Sequence, residues 1–152
     1  MASLSNYLRN KIVDWFHRAQ AFTPPATVYI ALYTSAPSAA TAGTEVSTSG
    51  TGYARVGIAS SLLNWAGTDA ALSTAVSTGT TGTTSNNSSV SYGTATTGWG
   101  TISHWEAYDA ATGGNRLFYG TIVDGTGAAS PRSVAAGDPV SFPASALAVN
   151  WS

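Results

Sequence analysis

The sequence predicts a mainly β protein: a single antiparallel β-sandwich, jelly-roll-like, led by one N-terminal amphipathic helix. Three observations carry that prediction. Apolar residues recur at helical spacing only before Pro24-Pro25. After the prolines the apolar period falls to two, in short runs. Between those runs lie long connections rich in Gly, Ser, Thr and Ala, the punctuation of an all-β fold. At 152 residues the chain has the length of one domain with a real core, and no internal repeat or domain boundary interrupts it.

The helix is expected from Leu4 to Ala19, within residues 3–20. Leu4, Tyr7, Leu8, Ile12, Trp15, Phe16 and Ala19 share one face, and Asn6, Arg9, Asn10, Asp14, His17 and Arg18 the other. Ser3 or Ser5 caps its start, and Pro24-Pro25 forbids continuation past Phe22. A face this wide and aromatic must lie on something, either this chain's own sheet or another subunit.

The sandwich is expected over residues 26–152. Thr27 to Thr34 alternates Val28, Ile30 and Leu32 against Tyr29, Ala31 and Tyr33, a strand with both faces partly covered. Ser35 to Gly52 is a long loop. Tyr53 to Trp65 holds one strand or two, with an interruption near Ser60-Ser61. Residues 66–87 are almost wholly Thr, Ser, Gly, Ala and Asn, with Leu72 and Val76 as the large aliphatics; a loop so long is disordered or functional. Order returns at Ser88 to Tyr92. Trp99 to Tyr108 reads as one strand, Asp109 to Asn115 as a turn, and Arg116 to Val123 as the returning hairpin partner. A loop over 124–137 precedes two terminal strands, Pro139 to Phe142 and Ala146 to Trp151. Seven or eight strands result.

Composition bounds the function. Only 9% of residues are charged, against about 25% in ordinary globular proteins. Such a surface repels its own kind weakly and suits permanent packing, because burying a hydroxyl costs far less than burying an ion. A secreted or carbohydrate-binding domain has a similar composition. A net charge of −1 and six scattered basic residues argue against direct binding of nucleic acid. With no cysteine there is neither disulfide nor thiol chemistry. No apolar run approaches a membrane span, and the N-terminus does not read as a signal peptide.

The residues of common active sites are present but not arranged. Glu106 lies within a strand and Asp109 opens a turn, so they make no facing pair of carboxylates. His104 shares a strand face with Glu106, but no third metal ligand accompanies them. Gly98-Trp99-Gly100 and Gly113-Gly114 fit no phosphate loop, and no serine sits in a nucleophile elbow. No catalytic residue, metal, cofactor or small-molecule substrate is therefore expected. Trp65, Trp99, Trp105, Tyr108, Phe118 and Tyr119 suit either a sugar-stacking platform or the sandwich core or an interface, and their alternating pattern favours the core. Candidate interface residues are Tyr7, Ile12, Trp15 and Phe16 on the helix, Leu72 and Val76 in the long loop, and Trp151 near the end. The loops over 35–52 and 66–87 are candidate contact segments.

Five segments resemble a group of small virion proteins of tailed bacteriophages. They are Leu4 to Ser38, with FTPPATVYIALYTSAP over Phe22 to Pro37; GTEVS at Gly43 to Ser47; GYAR at Gly52 to Arg55; WGTISHWEAYDAATGGNRLFYG at Trp99 to Gly120; and VAAGDPVSFPASALAVNW at Val134 to Trp151. Such proteins are often labelled tail fibre proteins, and similar small jelly rolls serve as capsid cement. The resemblance implies an oligomeric domain, dimer or trimer, bound on a particle assembled in the host bacterial cytoplasm, and it brings no catalytic residues. Without the long repetitive shaft of a complete fibre, the expected role is a cement or decoration protein on the capsid exterior. It would bridge subunits of the major capsid protein and resist the pressure of packed DNA. The alternative is a tail or tail-fibre component that binds a host carbohydrate receptor.

Overall fold

The computed structural model describes residues 2–151. Its first element is not the helix. Ser3–Leu4 forms a short strand, β1, pairing antiparallel with Tyr119 and Phe118. The helix α1 follows as Asn6–Arg18, two residues later than the periodicity suggests. Ser5 sets that boundary: its hydroxyl accepts the Leu8 N–H at 3.2 Å and donates to the Arg116 carbonyl, which fastens the helix start to the sheet. Ala19 ends the helix in the left-handed region (φ 54), with His17 and Arg18 in the last turn complementing the carboxyl end of the dipole.

One layer of the sandwich is a five-stranded antiparallel sheet in the order β1, β8 (Arg116–Thr121), β7 (His104–Tyr108), β2 (Thr27–Tyr33), β3 (Val56–Ala59). Three two-stranded ladders supply the rest: β4 (Thr83–Ser85) with β11 (Ala148–Asn150), β5 (Val90–Thr94) with β10 (Pro139–Phe142), and β6 (Gly100–Ile102) with β9 (Arg132–Val134). The apolar core joins them. Ile30, Leu32, Trp105, Ala107 and Phe118 from the sheet share one buried cluster with Val90, Tyr92, Ile102, Val134, Val140 and Val149 from the ladders.

The period of two places these residues. In β2, Val28, Ile30 and Leu32 face the main core, while Ala31 and Tyr33 join Tyr108 in a second cluster on the opposite face. Both faces of β2 are covered, as its composition requires. The second face lies under the loop over 35–52.

Eleven strands stand among the described residues, where seven or eight were expected. Two of the extra ones lie in segments that read as loops, β4 within 66–87 and β9 within 124–137. The run from Trp99 to Tyr108 divides at Ser103. β6 pairs with β9 and β7 with β2 and β8, so the chain leaves one layer for the other at that residue. Between Tyr53 and Trp65 one strand forms, not two. The loop over 66–87 is not structureless. Its end pairs with β11, Trp65 bridges Asn86, and Thr81 Oγ1 donates to the Thr68 carbonyl at 3.0 Å.

The aromatic residues mostly fill the interior. Trp99, Trp105 and Tyr108 are buried, Phe118 shows only an edge at 7% exposure, and Trp65 and Tyr119 are half-buried, so they form no broad platform for a sugar. Tyr53 stacks on Tyr92 at 6.0 Å, and Trp99 meets Tyr53 edge-on at 5.4 Å. Their polar ends are satisfied inside. Trp99 Nε1–H donates to the Thr51 carbonyl at 2.9 Å, and the Tyr92 hydroxyl to the Ile30 carbonyl at 3.0 Å. Among the described residues no helix is long and apolar enough to cross a membrane.

Candidate functional site

Ionisable groups concentrate in one place, the outer face of the sheet under the loop over 35–52. The Glu106 carboxylate is fully buried in β7. It accepts from the Tyr108 hydroxyl at 2.8 Å, the Gly43 N–H at 3.0 Å and Arg116 Nη1 at 3.3 Å. Arg116 also donates to the carbonyls of Ser38, Ala39 and Thr41. Beside this group, Arg55 clasps Glu45 through two bonds of 2.7 and 2.8 Å and lies 3.7 Å from the centre of the Tyr108 ring.

Every one of these groups is spent on another. The network pins the loop to the sheet, and Gly43 is needed for it. A Cβ there would lie 2.3 Å from the Ser35 carbonyl oxygen. The inner side of the loop expected to contact a partner is thus committed to its own fold. Burial pushes the hydroxyls of Tyr33, Tyr53 and Tyr92 well above the ordinary phenol range and that of Tyr108 up to about 12, so all four stay neutral donors at physiological pH.

The other chemical candidates are local ties. His104 Nδ1 lies 2.8 Å from Ser103 Oγ, and burial lowers its pKa below the ordinary imidazole value, with the Glu106 charge opposing. His104 and Glu106 take different hydrogen-bond partners. Asp109 accepts the backbone N–H and the side-chain amide of Asn115 at 2.6 and 2.8 Å, as a turn residue should.

The surface, by contrast, carries unpartnered apolar groups in two places. On α1 only Leu8 is buried, while Tyr7 and Ile12 are half-buried against the core. Further along, Val13, Trp15 and Phe16 are 50%, 53% and 72% exposed, and the two rings meet edge to face at 5.1 Å. The helix therefore does both things its face allows. Its first half lies on its own sandwich, and its second half holds aromatic rings in solvent.

The second place is a groove of about 530 Å³ where the sheet meets the β4/β11 ladder. Val28, Leu62, Trp65, Phe118, Val149 and Trp151 form its apolar walls, and no charged residue lines it. Trp151 is 49% exposed at its rim, and Leu62 and Leu63 are 53% and 71% exposed. The Trp65 Nε1–H is buried without a hydrogen-bond partner. Leu72 and Val76 are also exposed and do not line this groove; Leu72 adopts a left-handed φ of 63.

Of the sequence-expected candidates, Trp15 and Phe16 come together on the helix, and Trp151 and the aromatic Trp65 line the groove. The exposed Leu62 and Leu63 are not among the sequence candidates. Their signal was there: two leucines directly after Ser60-Ser61, at the break of a strand, where no sheet covers them.

A family model described as Podophage GP4 fiber I protein gp80 matches residues 3–150. No curated protein matches the chain.

Proposed function

The chain belongs to this podophage fiber I family of phage structural proteins, and from that premise we propose that it is a non-enzymatic structural component of the virion's tail fibre. The observation that carries the reading is the family match over nearly the whole chain. The surface suits the role. It is poor in charge and holds bare aromatic residues on a helix and around a groove, the kind of patch that marks a protein interface.

The sequence resemblance alone favours capsid cement. The family description favours the fibre, the alternative in that reading, and a fibre also needs compact non-repetitive domains where it begins, branches or ends. The buried carboxylate and arginines act in this account as fasteners for the loop over 35–52. The partners are other virion subunits, further copies of the same chain among them. Host carbohydrate, if bound, is met by surface groups and not by the buried Trp99 or Trp105.

Copy number tests the assignment. Quantitative peptide counting on purified particles is expected to give tens of copies per virion or fewer, scaling with the fibres. Hundreds of copies, scaling with the capsid lattice, would return the protein to the shell. Measurable hydrolysis of a host surface polysaccharide by the purified chain would contradict its non-enzymatic character.

A further inference from the structure

The second half of α1 and the groove between the sheet and the β4/β11 ladder are of opposite shape and like chemistry, one a ridge of rings and the other an apolar trough. We infer that they are the two halves of one contact between copies of this chain: Trp15 and Phe16 of one copy seat in the groove walled by Trp65, Phe118 and Trp151 of another.

Charge permits it. No ionisable side chain lines the groove. On the helix, Asp14 and Arg18 flank the exposed rings and neutralise each other in an i,i+4 pair at 2.8 Å. Seating the ridge therefore keeps this pair together, while Lys11 one turn earlier leans on the Tyr7 ring, 5.7 Å from its centre.

Area permits it as well. With about 150–250 Å² on each aromatic side chain, Trp15 and Phe16 at 53% and 72% exposure offer about 270 Å². In the groove, Trp151 at 49% exposure offers about 100 Å² more, and the half-exposed Leu62 adds to it. A specific interface buries at least about 1,200 Å² in total, a little over half of it apolar. The two surfaces thus supply most of the apolar part of a contact at the lower end of that range, and the polar helix flank and Ser60-Ser61 extend it. An amphipathic helix face laid in an apolar groove is also a recurrent mode of recognition.

Because the ridge and the groove are different surfaces, a copy that offers one still has the other free. Such a contact closes into a ring or runs on as a filament, either of which a fibre can use. The inference rests on the structural-subunit reading, but it is tested separately.

The test uses the full chain in solution. Sedimentation over roughly 1–200 μM spans the dissociation of a low-end interface, and the unaltered protein is expected to grow heavier with concentration. Phe16→Asp on the ridge and Ser61→Arg in the groove are each expected to weaken association at least tenfold. Mixed in equal amounts, the two variants are expected to form a complex again, since each keeps the surface the other has lost. Cysteine pairing guards against misfolded variants. The chain has no cysteine, so Phe16→Cys and Ser61→Cys copies mixed under oxidising conditions are expected to form the mixed disulfide in preference to either homodimer. A protein that stays monomeric throughout, variants that associate like the parent, a mixture that does not recombine, or cross-links confined to like copies would each overturn the contact. A monomeric chain that still localises to the fibre overturns this contact alone and leaves the structural role standing.

Discussion

Taking the charge from Glu106 would leave the Arg116 guanidinium, 9% exposed, facing an uncharged amide in the interior. A buried ion stripped of its counter-ion is costly, so Glu106→Gln is expected to lower stability by about 3 kcal/mol in a denaturant titration. Removing Asp14, whose partner Arg18 is 69% exposed, is expected to cost under about 0.5 kcal/mol in the same assay. Equal losses from the two substitutions would contradict the clamp. The buried tyrosines give a second residue-scale expectation. Burial holds Tyr33, Tyr53, Tyr92 and Tyr108 neutral in the folded chain beyond the ordinary phenol pKa of 10.0, Tyr108 up to about 12. Above that ordinary value the unfolded chain has lost protons that the folded chain keeps, so stability falls as pH rises. Their contribution is fully present below pH 10 and lost progressively above it. Thermal melts followed by phenolate absorbance are expected to show a steady midpoint up to about pH 9.5, and a falling one above it with tyrosine ionisation coincident with unfolding. Ionisation complete before unfolding would contradict the burial of these rings.

The helix α1 is divided between its own sandwich and solvent. If its first half is tied down and its second half is bare, Leu8→Ala should cost about 2–5 kcal/mol and Phe16→Ser no more than about 0.5 kcal/mol. A large loss from Phe16→Ser would show the ring packed inside. Elements whose periodicity settles their partners were legible in the sequence. Strands β2, β7 and β8 follow from alternating apolar residues, and the turn from Asp109 to Asn115 from its Asp and glycines. What stayed hidden depends on partners far along the chain. The division at Ser103 shifts the core-facing positions by one, from Ile102 to Trp105 and Ala107, a slip that a period-two pattern with apolar residues on both faces does not reveal. β4 and β9 are three-residue strands of mixed polar composition, and only β11 and β6 opposite them make them strands. The helix start was misplaced because Leu4 suits a helical face equally well, and its place beside Phe118 is a tertiary contact. The groove was invisible for the same reason, since its walls come from stretches far apart in the chain, from Val28 to Trp151.

At the scale of the whole molecule, the low charge pointed to assembly, and the structure shows how the few charges are used. Four of the chain's thirteen Lys, Arg, Asp and Glu residues (Glu45, Arg55, Glu106 and Arg116) are drawn into the clamp under one loop. Much of the remaining surface is left to hydroxyls and bare apolar side chains. That division fits a subunit whose partners are permanent. Resemblance and composition both speak of packing on a particle, and neither says against what. The proposed place in the fibre is decided by imaging purified particles labelled with an antibody to this chain. Label confined to the fibres is the result expected. Label spread over the capsid faces in the pattern of the shell lattice would contradict it.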